Sequence, residues 1–124
     1  MKKSDYPKLK DRKVSETEIK KSIKSWLDRA GIFSFPVLQG LGSVRGIPDR
    51  IAIEPGTGRF IAIEVKTKNG AVSDWQRKFL DQVEASGGIA IIARSVDEVI
   101  DVMGLLKKPP ILPAIRKPER DGLA

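Results

Sequence analysis

The sequence predicts an α/β (α+β) domain in three layers, a central mixed sheet flanked by helices, with elements in the order α-β-β-β-α-β-α. Three observations predict it. Apolar residues recur at helical spacing in three stretches, each opened by a Ser-x-x-Glu or Ser-x-x-Gln box (Ser15–Glu18, Ser73–Gln76, Ser95–Glu98). Short apolar runs bounded by Gly and Pro lie between them, two joined by the turn Pro55-Gly56-Thr57-Gly58. The run Ile89–Ala93 (IAIIA) is apolar throughout, so it reads as a buried strand covered on both faces. The helix that precedes it then serves as a right-handed crossover.

Taken in order, residues 1–14 are polar and basic and read as a flexible arm. In the first helix Ile19, Ile23, Trp26, Leu27 and Ala30 share a stripe, and Gly31 stops it. Glu16 opens this helix near that stripe; it suits either the helix dipole or a place at the core edge. Ile32–Leu38 is a strand whose Pro36 marks an edge or a bulge. Gln39–Gly46 is a glycine-rich loop that matches neither a P-loop nor a dinucleotide fingerprint.

Pro48–Glu54 and Arg59–Lys66 form a hairpin. If Glu54 and Arg59 pair across its turn, Asp49 stands opposite Glu64, and Lys66 shares their face. A slip of a single residue would separate them. The second helix carries Trp75, Phe79, Gln82 and Val83 on its inward face and stops at Gly87-Gly88. The last helix carries Val99, Ile100, Met103 and Leu106. The folded domain spans 15–106, and 107–124 is a proline-rich tail.

Composition narrows the chemistry. With 124 residues, 40% hydrophobic and 31% charged, the chain is a single soluble domain. No apolar run reaches the ~18 residues of a membrane span. The basic start is followed by no apolar signal core, so a cytoplasmic location is expected. There is no Cys and no His. This excludes disulfides, thiolate and imidazole metal sites, and histidine bases. Any metal must be held by oxygen, which favours Mg²⁺, Mn²⁺ or Ca²⁺. The net charge of +7 suits a polyanionic partner.

Two carboxylates brought to one spot repel each other, and a divalent cation relieves that repulsion. Asp49, Glu64 and the Val65 carbonyl could supply oxygens, with Glu16 as a further ligand and Lys66 beside them. The competing reading is an ordinary hairpin whose Glu64–Lys66 pair contributes a few tenths of a kcal/mol. Arg45, Lys68 and Arg77 are cations placed to bind DNA phosphates.

Ile47-Pro48-Asp49 followed by Glu64-Val65-Lys66 resembles the signature of the PD-(D/E)XK nucleases. The details resemble their VRR-NUC (virus-type replication-repair nuclease) branch: Ser15-Glu16 opening the first helix, Arg45-Gly46-Ile47-Pro48-Asp49, Glu64-Val65-Lys66-Thr67, and Ser73-Asp74-Trp75-Gln76 opening the next helix. The resemblance covers about Ser15 to Val99. It implies a restriction-endonuclease-like fold and phosphodiester hydrolysis on DNA that depends on Mg²⁺ or Mn²⁺. By the same resemblance Asp49 and Glu64 are metal ligands, Lys66 is catalytic, and Glu16 and Gln76 support the site. Gln76 has a competing local role in its capping box. Members standing alone are similar to junction-resolving enzymes, which implies branched DNA as substrate and a homodimer as the working form. The alternative is a catalytically silent nucleic-acid-binding module of the same fold.

Overall fold

The computed structural model describes residues 13–38 and 44–105. Most of the basic arm, part of the glycine-rich loop, Leu106 and the proline-rich tail lie outside the described residues. The elements are α1 (Glu16–Arg29), β1 (Ser34–Pro36), β2 (Arg50–Ile53), β3 (Phe60–Val65), α2 (Asp74–Ala85), β4 (Ile89–Ala93) and α3 (Val96–Leu105). The sheet runs β1-β2-β3-β4. β1–β2 and β2–β3 pair antiparallel, and β3–β4 pair parallel, so the sheet is mixed.

Local chemistry sets the helix starts. The Ser15 hydroxyl accepts the Glu18 amide at 3.2 Å. At α2 the box is reciprocal: Ser73 Oγ accepts the Gln76 amide at 3.2 Å, and Gln76 Oε1 accepts the Ser73 amide at 2.9 Å. Each bond satisfies an amide that has no partner within the helix. α1 ends at Gly31, whose φ of 71° is a conformation glycine adopts without strain.

α1 and α3 pack on one face of the sheet and α2 on the other. The core is concentrated on the α1/α3 side, where Ile23, Leu27, Ile61, Ile63, Val65 and Val99 are essentially inaccessible. Leu80 is the buried residue of α2. Trp75, expected on its inward face, is half exposed, and Gln82 is exposed; Phe79 and Val83 are partly buried. Of the strands, α2 contacts only β3 and β4.

Two strand expectations need correction. β1 is shorter than Ile32–Leu38, spanning Ser34–Pro36 at the sheet edge, and Leu38 is 89% exposed. β4 has helices on both faces, yet Ile89, Ala90 and Ile92 are only partly buried. Among the described residues no strand lies beyond it.

The hairpin register is the one that matters for function. Arg50 pairs with Ile63 and Ile53 with Phe60. The turn continues the pattern, with the Glu54 amide donating to the Arg59 carbonyl at 2.9 Å and the Gly58 amide to the Glu54 carbonyl at 2.9 Å. The Arg59 guanidinium forks onto the Glu54 carboxylate, and the Thr57 hydroxyl donates to it as well. This clamp fixes the register at the closed end. Asp49 therefore lies opposite Glu64 at the open end.

Candidate active site

The two carboxylates meet where β3 ends. Asp49 precedes β2, and its carbonyl accepts the Val37 amide at 2.9 Å. Its Oδ2 accepts the Val65 amide at 2.7 Å, which ties it directly to the end of β3. Its Oδ1 lies 3.3 Å from the Lys20 ammonium of α1.

Glu64 is the buried member, 2% exposed. Its Oε1 accepts Gln76 Nε2 at 2.9 Å and lies 3.8 Å from Lys66 Nζ. Its Oε2 is buried and has no hydrogen-bond partner. Burial pushes its carboxyl up to about 8, helped by the charge of Asp49. Lys66 opposes this shift, and the charge of Glu16 adds to it. A carboxylate buried against a second carboxylate, with one oxygen unsatisfied, is out of balance as the protein stands.

Gln76 makes a capping contact and a contact to Glu64 at once. Its carbonyl oxygen caps α2 and its amide nitrogen donates to Glu64. These two bonds fix the amide orientation, since a flipped amide would set donor against donor and oxygen against oxygen. The helix cap thus aims the donor.

The imbalance at Glu64 fits a hard divalent cation. Such an ion binds through one or two carboxylates and completes its shell with water and phosphate oxygens. Among the described residues no group of three or more His, Cys, Asp or Glu side chains forms a metal cage. Two carboxylates alone would leave most of such an ion's shell to other ligands.

Comparison with known proteins gives this geometry a family. The VRR-NUC domain model matches residues 2–97. The chain belongs to the VRR-NUC family. It thus carries a nuclease-type domain. No curated protein matches the sequence. A solved structure described as a VRR_NUC domain protein superposes with a TM-score of 0.64 at 22% identity, covering 75% of this chain and 88% of that one. That likeness shows the fold: a mixed four-stranded sheet with three helices.

Within this VRR-NUC domain, Asp49, Glu64, Lys66 and Gln76 are brought together. Glu16, half-buried in the first turn of α1, is near enough for its charge to act on Glu64. Arg45 is exposed and its guanidinium lies 4.9 Å from the Trp75 ring centroid. Lys68 and Arg77 are exposed, Lys68 in the loop after β3 and Arg77 on α2.

Three contributors, Lys20, Arg94 and Arg50, escaped the sequence reading, and Gly46 of the motif gains a structural reason. Lys20 reaches Asp49; its signal was present, since it lies a helical turn beyond Glu16 and so on the same side of α1. Arg94 follows β4 and donates to the carbonyls of Thr67 (2.6 Å), Gly70 (2.8 Å) and Lys68 (3.3 Å). It pins the loop that leaves Lys66, because parallel β3 and β4 end side by side. Arg50 is buried and donates to Ser34 Oγ at 2.9 Å. Gly46 has φ +76°, and a Cβ there would stand 2.1 Å from the Trp75 carbonyl oxygen. Only glycine lets the segment bearing Asp49 lie against the start of α2.

Proposed function

We propose that this chain is a Mg²⁺- or Mn²⁺-dependent endonuclease that hydrolyses phosphodiester bonds in DNA, selective for branched or four-way junction structures, in replication, recombination or repair. The observation that carries this reading is the unsatisfied, buried Glu64 Oε2 beside Asp49 and within reach of Lys66.

Asp49, Glu64 and the Val65 carbonyl would hold the ion, with Glu16 close by. When bound, the ion supplies Lewis acidity toward a phosphoryl oxygen and acidifies a coordinated water. The chain's own residues do the rest. The Val65 amide and Lys20 hold the Asp49 carboxylate in place. Gln76 holds Glu64 Oε1, which leaves Oε2 free for the ion. Lys66 Nζ, largely shielded on a side chain 14% exposed, orients the attacking water or neutralises charge developing on the phosphate. The +7 net charge holds the DNA backbone.

The homodimer belongs to this proposal, because two symmetric cuts across a junction need two sites. Sedimentation velocity is expected to give a species near twice the 13.7 kDa chain mass.

The deciding experiment is cleavage of duplex, flap, single-stranded and four-way DNA across a divalent-metal series. Nicking of branched DNA is expected with Mg²⁺ or Mn²⁺ and is expected to stop in EDTA. Lys66→Ala should retain DNA binding and lose cutting. Undiminished activity in EDTA would sink the metal mechanism.

A further inference from the structure

Trp75 is the outlier of α2. Its spacing from Phe79 places it on the inward side, yet it is 49% exposed. Its ring is attended by two cations instead of by the core. The Arg45 guanidinium lies 4.9 Å from the ring centroid and the Lys78 ammonium 5.4 Å. The backbone beneath is fixed: the Trp75 carbonyl packs so closely on Gly46 that no Cβ fits there. The ring and Arg45 are thus mounted on the two segments that build the active site. Arg45 leads into Asp49, and Trp75 adjoins Gln76, which donates to Glu64.

Packing explains little of this arrangement. A tryptophan that served only the core would be buried, as Leu80 is. A half-exposed tryptophan with a guanidinium and an ammonium over its ring is the kind of surface on which nucleic-acid-binding proteins stack bases, on the aromatic ring or on the arginine plane, while holding the neighbouring phosphates. Bases inside a duplex already have both faces stacked, so only an unpaired base can take such a place.

Resting on the nuclease reading, we infer that Trp75, with Arg45, is a stacking platform for an unpaired nucleobase of the DNA strand beside the scissile phosphate. Lys78 contributes charge toward the adjoining backbone. The platform gives preference for DNA with unpaired nucleotides at the site and carries no base-specific readout.

The test uses the full chain with Trp26→Phe, which leaves Trp75 as its sole tryptophan, combined with Lys66→Ala to prevent cutting. Duplex DNA with a short oligothymidine overhang is compared with blunt duplex of equal length. The overhang is expected to quench Trp75 emission, and the blunt duplex is not. Trp75→Ala should weaken binding of the overhang DNA roughly 5- to 100-fold, the loss of one base–aromatic stack, and leave blunt-duplex affinity within about twofold. Trp75→Phe should restore most of the difference. Equal quenching by both DNAs, or equal weakening of both by Trp75→Ala, overturns the inference. The quenching measurement is made on the intact ring, so it decides even if Trp75→Ala folds poorly. If Mg²⁺-dependent cleavage persists while overhang selectivity is absent, this inference alone fails. If DNA is neither bound nor cut, the nuclease reading falls with it.

Discussion

Glu54 and Glu64 make a controlled comparison within one hairpin. Both are glutamates of the β2–β3 unit, and both are buried, at 3% and 2% exposure. At the closed end, the Arg59 fork and the Thr57 hydroxyl satisfy Glu54, and the Arg59 hydrogen bond holds its carboxyl below the usual range. At the open end, Glu64 has Gln76 and a distant Lys66 on one oxygen and nothing on the other, and its carboxyl rises to about 8. Both are shut off from solvent, but at Glu64 burial is the chief cause of the rise, whereas at Glu54 the Arg59 hydrogen bond outweighs it. Where the carboxylate is part of the scaffold, the chain supplies its partners. Where it is left short, the proposed ion would complete it.

The largest effect is expected at the open end. Glu64→Gln keeps the shape and the Gln76 neighbour but removes the charge. Cleavage should fall on the order of 10²–10³-fold or more, the scale for losing one electrostatic contributor to a transition state. Mg²⁺ should raise the melting temperature of the unmodified protein and leave that of Glu64→Gln unchanged, since only a state that binds the ion is stabilised by it. Equal Mg²⁺ stabilisation of both proteins would erase the contrast between the two glutamates.

The closed end should answer in stability. Hydrogen bonds to a charged group are worth about 1.5–3 kcal/mol, and the half-exposed Arg59 screens part of that. Glu54→Ala is therefore expected to cost about 1–2 kcal/mol by denaturant titration, with cleavage at low temperature largely kept. A loss of cleavage larger than the loss of folded protein would show that the clamp also sets the site's register.

The two carboxyls also predict opposite pH responses in metal-free protein. Glu64 has a folded value of about 8 against an ordinary 4.5. Between these values the folded state holds a proton that the unfolded state has released, so this group's contribution falls as pH rises. Glu64→Gln should match the unmodified protein at pH 5 and melt several degrees higher at pH 8.5, given ~4–8 °C per kcal/mol for a domain of this size. Glu54 is depressed, so its contribution is present above the ordinary carboxylate value and fades as pH falls through its folded value. Glu54→Gln should thus be the less stable protein at pH 7 and converge on the unmodified one in acid. Parallel pH profiles for the two substitutions would overturn the assignment of compensation.

Much of this was legible before any coordinates. Capping boxes and a four-residue turn are local signals, and they fixed the helix starts and the register that sets Asp49 opposite Glu64. What escaped depends on what lies across the sheet. Nothing in the spacing of Trp75 tells that its ring stays half exposed, and nothing in IAIIA tells that, among the described residues, no strand pairs with the outer side of β4. The motif singles out Glu64, but the sequence does not show how each glutamate's neighbouring cation meets it. The difference is that Arg59 lies across a tight turn and can fork, whereas Lys66 leaves along the same strand and reaches only to 3.8 Å.

The smallest and most discriminating effect concerns the donor that Glu64 does have. Ser73 and Gln76 share one capping box, but only Gln76 touches the site. Ser73→Ala removes an N-cap and should cost roughly 0.5–2 kcal/mol with cleavage per folded molecule unchanged. Gln76→Ala removes half of the same cap and also the hydrogen bond to the ionised Glu64. A bond to the charged form favours that form, so its loss should raise the Glu64 carboxyl further. A carbon-13 titration of the Glu64 carboxyl in metal-free protein should therefore move upward in Gln76→Ala and stay fixed in Ser73→Ala, with a modest cleavage defect in the former alone. If both variants leave that titration in place, Gln76 is only a helix cap, and the open end of the hairpin is emptier of support than its geometry implies.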